Sequence, residues 1–163
     1  MQLLRPLSVA SAALSRAALI VAGASLAGLG LVVIYGVVMR YVFNSAPPFV
    51  EQVALLLVIC VAMFGASVGV RETGHIGLDS LVKLLPPAGQ RVCAVLGDVL
   101  VLIFALVLTW GSQEMIIATL PNDIPTLGVS EACRYVPPLV AGVLVSLFSI
   151  ERLVLVFAKQ EAH

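Results

Sequence analysis

The sequence predicts an all-α integral membrane protein that crosses the bilayer four times. Three observations carry that prediction: an extreme apolar composition, four long uncharged runs, and proline pairs placed at helix starts. Of 163 residues, 61% are hydrophobic and 11% charged, with a mean hydropathy of +1.12. Soluble domains run at about 45–50% apolar and about 25% charged. A soluble fold of this length has too little interior for so much apolar surface, so lipid must solvate much of it.

A helix needs about 20 apolar residues to cross ~30 Å of hydrocarbon. Four stretches meet that length: residues 17–39, 50–70, 92–112 and 136–157. The first, Ala17 to Met39, holds 23 residues without a charge. A secretory h-region is about 7–15 residues, so this run reads as an uncleaved first span rather than a leader. The third is interrupted by Asp98. The fourth ends with Glu151 and Arg152, which predicts emergence into the interface with a snorkelling arginine. Pro47-Pro48, Pro86-Pro87 and Pro137-Pro138 stand at or just before the second, third and fourth spans. Proline suits a first helical turn, where its missing N–H has no intrahelical partner to lose. The chain thus reads as a single membrane domain over residues 1–163.

Orientation follows from basic residues. Arg5, Arg16, Arg71, Lys83, Arg91, Arg152 and Lys159 lie on the side of the termini, against Arg40 and Arg134 on the other. Seven against two predicts both termini in the cytoplasm. Tyr35, Tyr41, Trp110 and Tyr135 fall on the predicted outer side, where an aromatic belt or a docking surface for an external partner would put them. Between spans two and three, apolar residues at Ile76, Leu78, Leu81, Val82, Leu84 and Leu85 recur near helical spacing. They predict a short amphipathic helix lying at the inner interface. The outer loop from Glu114 to Arg134 is expected to extend helix three and then become irregular.

Chemistry-bearing residues are sparse. Net charge is zero, which gives no electrostatic footprint for nucleic acid. Cys60, Cys93 and Cys133 match no zinc, redox or disulfide spacing and read as buried inert thiols. No hydrolase elbow, zincin, P-loop or dinucleotide motif occurs, and neither His75 nor His163 lies in a span. No cofactor or metal is expected. Asp98 is the only acid well inside a span, where such a group marks a functional site by default. It can be satisfied by Arg71, Arg91 or water, sit in a structural or subunit-contact ion pair, or serve a coupling ion. Glu51, in the first turn of helix two, suits the helix dipole or a contact with Arg40 or a partner. Gly65 and Gly69 form a GxxxG pattern that supports close helix packing, within the chain or between chains.

Two motifs carry a resemblance to a known family. One is Arg40-Tyr41-Val42-Phe43-Asn44 followed by Glu51. The other is Arg71-Glu72-x-x-His75-Ile76-x-Leu78-Asp79, followed by Leu85-Pro86. Asp98, Thr126-Leu127-Gly128-Val129, Tyr135 and Pro137-Pro138 continue it in order, so it covers nearly the whole chain. The sequence resembles the small, DctQ-type membrane subunit of TRAP (tripartite ATP-independent periplasmic) transporters. It departs at Phe49-Val50-Glu51-Gln52, where the family often has Trp and two acids, and at Ser130–Cys133, where it tends to have an aromatic residue.

The resemblance implies an accessory scaffold in the bacterial inner membrane. Its partners would be a large permease subunit carrying the substrate and sodium sites, a periplasmic binding protein that captures an organic acid, and membrane lipid. Arg40, Glu51, Arg71, Glu72, His75, Asp79, Asp98, Gly65 and Gly69 are then expected in assembly or subunit contact. Tyr41, Asn44, Trp110 and Tyr135 are expected at the outer docking face. Two other classes compete. An autonomous four-helix carrier, like the small multidrug exporters, uses an acid in its first helix, which this chain lacks. A membrane enzyme would need clustered polar groups in its spans.

Overall fold

A computed structural model describes residues 4–72 and 87–160, with side chains over 11–72, 89–90 and 92–154. The elements are α1 (Leu4–Tyr41), α2 (Phe49–Glu72), α3 (Pro87–Thr119), β1 (Asp123–Ile124), β2 (Val129–Ser130), a 3-10 turn (Glu131–Arg134) and α4 (Val136–Gln160). Each of the four α-helices contains a segment long and apolar enough to cross a membrane: Ser11–Tyr41, Phe49–Glu72, Val92–Thr119 and, with the 3-10 turn, Glu131–Val154. The expected amphipathic helix between spans two and three lies outside the described residues, as do His75 and Asp79.

Helix starts follow the prolines. α2 opens directly after Pro47-Pro48, α3 opens on Pro87, and α4 holds Pro137-Pro138 in its first turn. The helices outrun their apolar centres. α1 has 38 residues, about 57 Å at 1.5 Å per residue. Hydropathy marks what lipid can cover; the backbone stays helical until something breaks it. At the end of α1 the break is Asn44, in the left-handed region at φ 49°. There the Ser45 N–H reaches back to the Met39 carbonyl at 3.0 Å. Asn is one of the few residues with a side chain that visits this region readily.

The helices do not close into a ring. α1 packs on α2, α2 on α4, and α4 on α3, whereas α1 touches α4 only lightly. α4 is the interior helix: 44% of its apolar window is buried, against 17% or less in the others. The core is a cluster of Ala18, Val68, Leu144 and Phe148, with Phe64 packed against it. Across the α3–α4 contact, Gly142 lies against Ala105 and Thr109, where a Cβ would come within 3.2 Å of two backbone atoms. Three hydroxyls in the spans turn back on their own helices. Thr109 donates to the Ala105 carbonyl at 2.7 Å, Ser67 to Phe64 at 2.7 Å and Ser146 to Gly142 at 2.8 Å. Lipid offers no alternative partner.

Two expectations change in detail. The outer loop does extend helix three, but then forms an antiparallel hairpin pairing Asp123 with Ser130 and Ile124 with Val129. Gly128, at φ 63°, turns it, and the Gly128 N–H reaches the Ile124 carbonyl at 2.9 Å. The three cysteines are free, as expected, yet half-buried rather than buried. A row of helices has too little interior to cover them.

Candidate functional site

The intramembrane charge is gathered at the end of the bundle where α2 stops. Asp98, on α3, is 4% exposed. Its described cationic partner is Arg152 of α4, with Nε 3.5 Å from Oδ1. The same guanidinium donates through Nη1 to the Val70 carbonyl of α2 at 3.0 Å. Val70 lies in the last described turn of α2. One arginine therefore meets the acid of α3 and a backbone carbonyl of α2, tying three helices together.

Arg152, expected at the interface, reaches a buried carboxylate and a carbonyl near the end of α2 while its side chain stays 31% exposed. Glu151, read with it as interfacial, is itself buried at 9% exposure. Arg71, a candidate partner for Asp98, is engaged elsewhere. Its Nη2 lies 3.4 Å from the Ser11 Oγ of α1, and its guanidinium stands over the Phe148 ring, 5.8 Å from the centroid. The side chain of Arg91, the other candidate, lies outside the described ones. Glu72 closes α2 and is exposed. Ser15 and Ser149 are each 1% exposed, and each has a hydroxyl without a hydrogen-bond partner.

The opposite end is built differently. Arg40 and Tyr41 of α1 and Glu51 of α2 line one groove of about 510 Å3. Tyr35 stacks on Phe49 with ring centroids 6.2 Å apart, fixing α1 against the start of α2. No described ion pair joins Arg40 to Glu51. Arg134, in the turn before α4, pairs with Glu131 at 2.9 Å and donates to the side-chain Oε1 of Gln52 on α2. The sequence names Gln52 only in the run that departs from the family, and no pattern within the chain marks a partner 82 residues away.

Of the four residues expected on the outer face, Tyr41 is 80% and Trp110 72% exposed. Asn44 is exposed and Tyr135 half-buried. Trp110 does not mark the end of its helix, because α3 continues to Thr119, about 13 Å further. Gly65 has nothing within 4 Å of a built Cβ. The buried edge of α2 at this level is Ser67 and Val68 instead. Among the described residues, no group of three or more His, Cys, Asp or Glu could hold a metal ion.

Four apolar helices, with the buried acid of α3 paired to an arginine of α4, define a multi-pass membrane protein. Residues 29–159 match the family described as tripartite ATP-independent periplasmic transporters, DctQ component. A Haemophilus influenzae protein provisionally described as a TRAP transporter small permease is 33% identical over 129 residues, covering 79% of this chain and 80% of that protein. A second from the same organism, described in the same way, is 22% identical over 111 residues, or 68% of this chain and 67% of its own length. The C4-dicarboxylate TRAP transporter small permease DctQ of Vibrio cholerae is 30% identical over 76 residues, 47% of this chain and 33% of that protein. The chain belongs to the DctQ family of TRAP transporter small permease subunits.

Proposed function

We propose that this chain is the accessory, non-translocating subunit of a sodium-coupled TRAP transporter that imports an organic acid. It packs beside a large permease subunit and helps present the surface on which a periplasmic binding protein docks. It resides in the bacterial inner membrane with both termini cytoplasmic, and it has no enzymatic activity of its own. One observation carries the scaffold reading: the intramembrane carboxylate of Asp98 is 4% exposed and is held by Arg152 against the end of α2. A coupling site needs a group that a substrate or ion can reach, and discontinuous helices commonly help to build one. Here the described helices run unbroken through their spans.

The competing reading, an autonomous carrier, lacks an acid in α1 within the span. The test is reconstitution. A large TRAP permease subunit is placed in vesicles with its binding protein, with and without this subunit. Sodium-driven uptake only in the presence of the chain, with co-purification of the two membrane subunits, is the expected result. Uptake by this chain alone would overturn the proposal.

A further inference from the structure

The groove between the end of α1 and the start of α2 sets opposite charges above an apolar floor. Arg40 and Glu51 stand at its rim with Tyr41, and Val33, Val37 and Ala54 lie below them. Its volume of about 510 Å3 falls in the ~300–1,000 Å3 range of small-ligand sites. Both charges are exposed, and no described ion pair joins them.

Their depth is set by the chain. Arg40 ends the uncharged run of α1, one residue before that helix stops, and Glu51 lies two residues into α2. Both therefore sit at headgroup level, and the residues below them at acyl-chain level. The walls are held together. A Cβ at Gly36 would come 2.7 Å from Val50 Cγ1, so α1 and α2 are in close contact beside the groove.

We propose that this groove binds a zwitterionic phospholipid carrying a phosphate and a primary ammonium, of the phosphatidylethanolamine class. Arg40 donates to the phosphate, as guanidinium groups do in charge-assisted pairs. Glu51 accepts from the ammonium, and an acyl chain runs down the exposed faces of Val33 and Val37. Anionic glycerol headgroups offer Glu51 no cation, and a choline headgroup offers it no N–H. Charge of both signs at headgroup depth over an apolar strip fits an amphiphile better than a soluble peptide, which would leave the strip in lipid. The inference does not rest on the transport role, and its readout is direct lipid binding.

The experiment is native mass spectrometry of the full-length chain, extracted in maltoside and incubated with mixed micelles of equimolar dioleoyl phosphatidylethanolamine, phosphatidylglycerol and phosphatidylcholine. Retained phosphatidylethanolamine should exceed the other two. Arg40→Gln should lower its retention roughly ten-fold, the size of one lost charge-assisted contact. Glu51→Gln should bring it down to the level of phosphatidylglycerol, and Leu106→Ala on α3 should change nothing. A photo-crosslinking residue at Val37 in cells should capture phospholipid, a readout independent of whether the two variants fold. Equal retention of all three lipids, or retention indifferent to Arg40 and Glu51, overturns the proposal. Capture of polypeptide at Val37 also overturns it and makes the groove a protein interface.

Discussion

Asp98 and Arg152 are 54 positions apart, and their pairing decides how the polar end of this bundle behaves. The acid is 5% and the arginine 31% exposed at the side chain, so the two would respond differently to loss of the other. Asp98→Ala leaves a cation that can still turn toward water, so the cost should fall below the 3–5 kcal/mol of a fully buried broken pair, at about 2 kcal/mol. A lowered thermal midpoint of the detergent-solubilised protein would register it. The double change Asp98→Leu with Arg152→Leu should recover more than half of that loss, because it removes both charges of the described pair. Equal destabilisation by the single and double variants would mean that the Val70 contact, and not the ion pair, is what matters. Asn44 allows a second residue-scale test. Its φ of 49° suits Gly and strains a β-branched side chain. Asn44→Val should therefore cost about 1–2 kcal/mol, with Asn44→Gly close to neutral in the same melt.

At the scale of elements, the four helices were legible because lipid imposes a length, and the proline pairs located three of their starts. The ends were less legible. Apolar runs stop where headgroups begin, while α1 and α3 continue helically beyond them. Asp98 could be recognised as costly from sequence, but its partner could not. Arg152 has the same flanking signal as any snorkelling arginine, and only the packing of α4 between α2 and α3 brings it to Asp98. The glycines repeat the lesson. Gly65 and Gly69 carry the familiar spacing, yet Gly65 meets open space, and the tight crossings fall at Gly36, which no GxxxG marks, and at Gly142, whose only spacing signal is the Ser146 four residues on. Gly142→Val should overpack the α3–α4 contact against Thr109 and Ala105 and cost about 1–3 kcal/mol. Gly65→Ala should leave the melting temperature unchanged or raise it, since helix propensity favours Ala by up to about 1 kcal/mol. If Gly65→Ala instead releases a co-purifying subunit while the melt holds, that face of α2 belongs to a contact between chains.

For the whole molecule, the row α1–α2–α4–α3 makes the position of each loop a statement about sidedness. The turn at residues 42–48 and the hairpin at residues 120–135 share one end of the bundle, tied by the contact of Arg134 with Gln52. That end carries Arg40 and Arg134 of the nine basic residues. Cytoplasmic loops hold the excess of Lys and Arg because translocating them is disfavoured during insertion, so this end should face the periplasm. In a background lacking Cys60, Cys93 and Cys133, Ser45→Cys and Asp123→Cys should react with a membrane-impermeant maleimide added to intact cells. Gln160→Cys should react only after the cells are opened. The pattern matters beyond topology. A scaffold that helps receive a periplasmic binding protein must show its hairpin and its exposed Tyr41 on that side. Reversed labelling would remove the docking half of the proposed role while leaving the membrane packing of the four helices as it is.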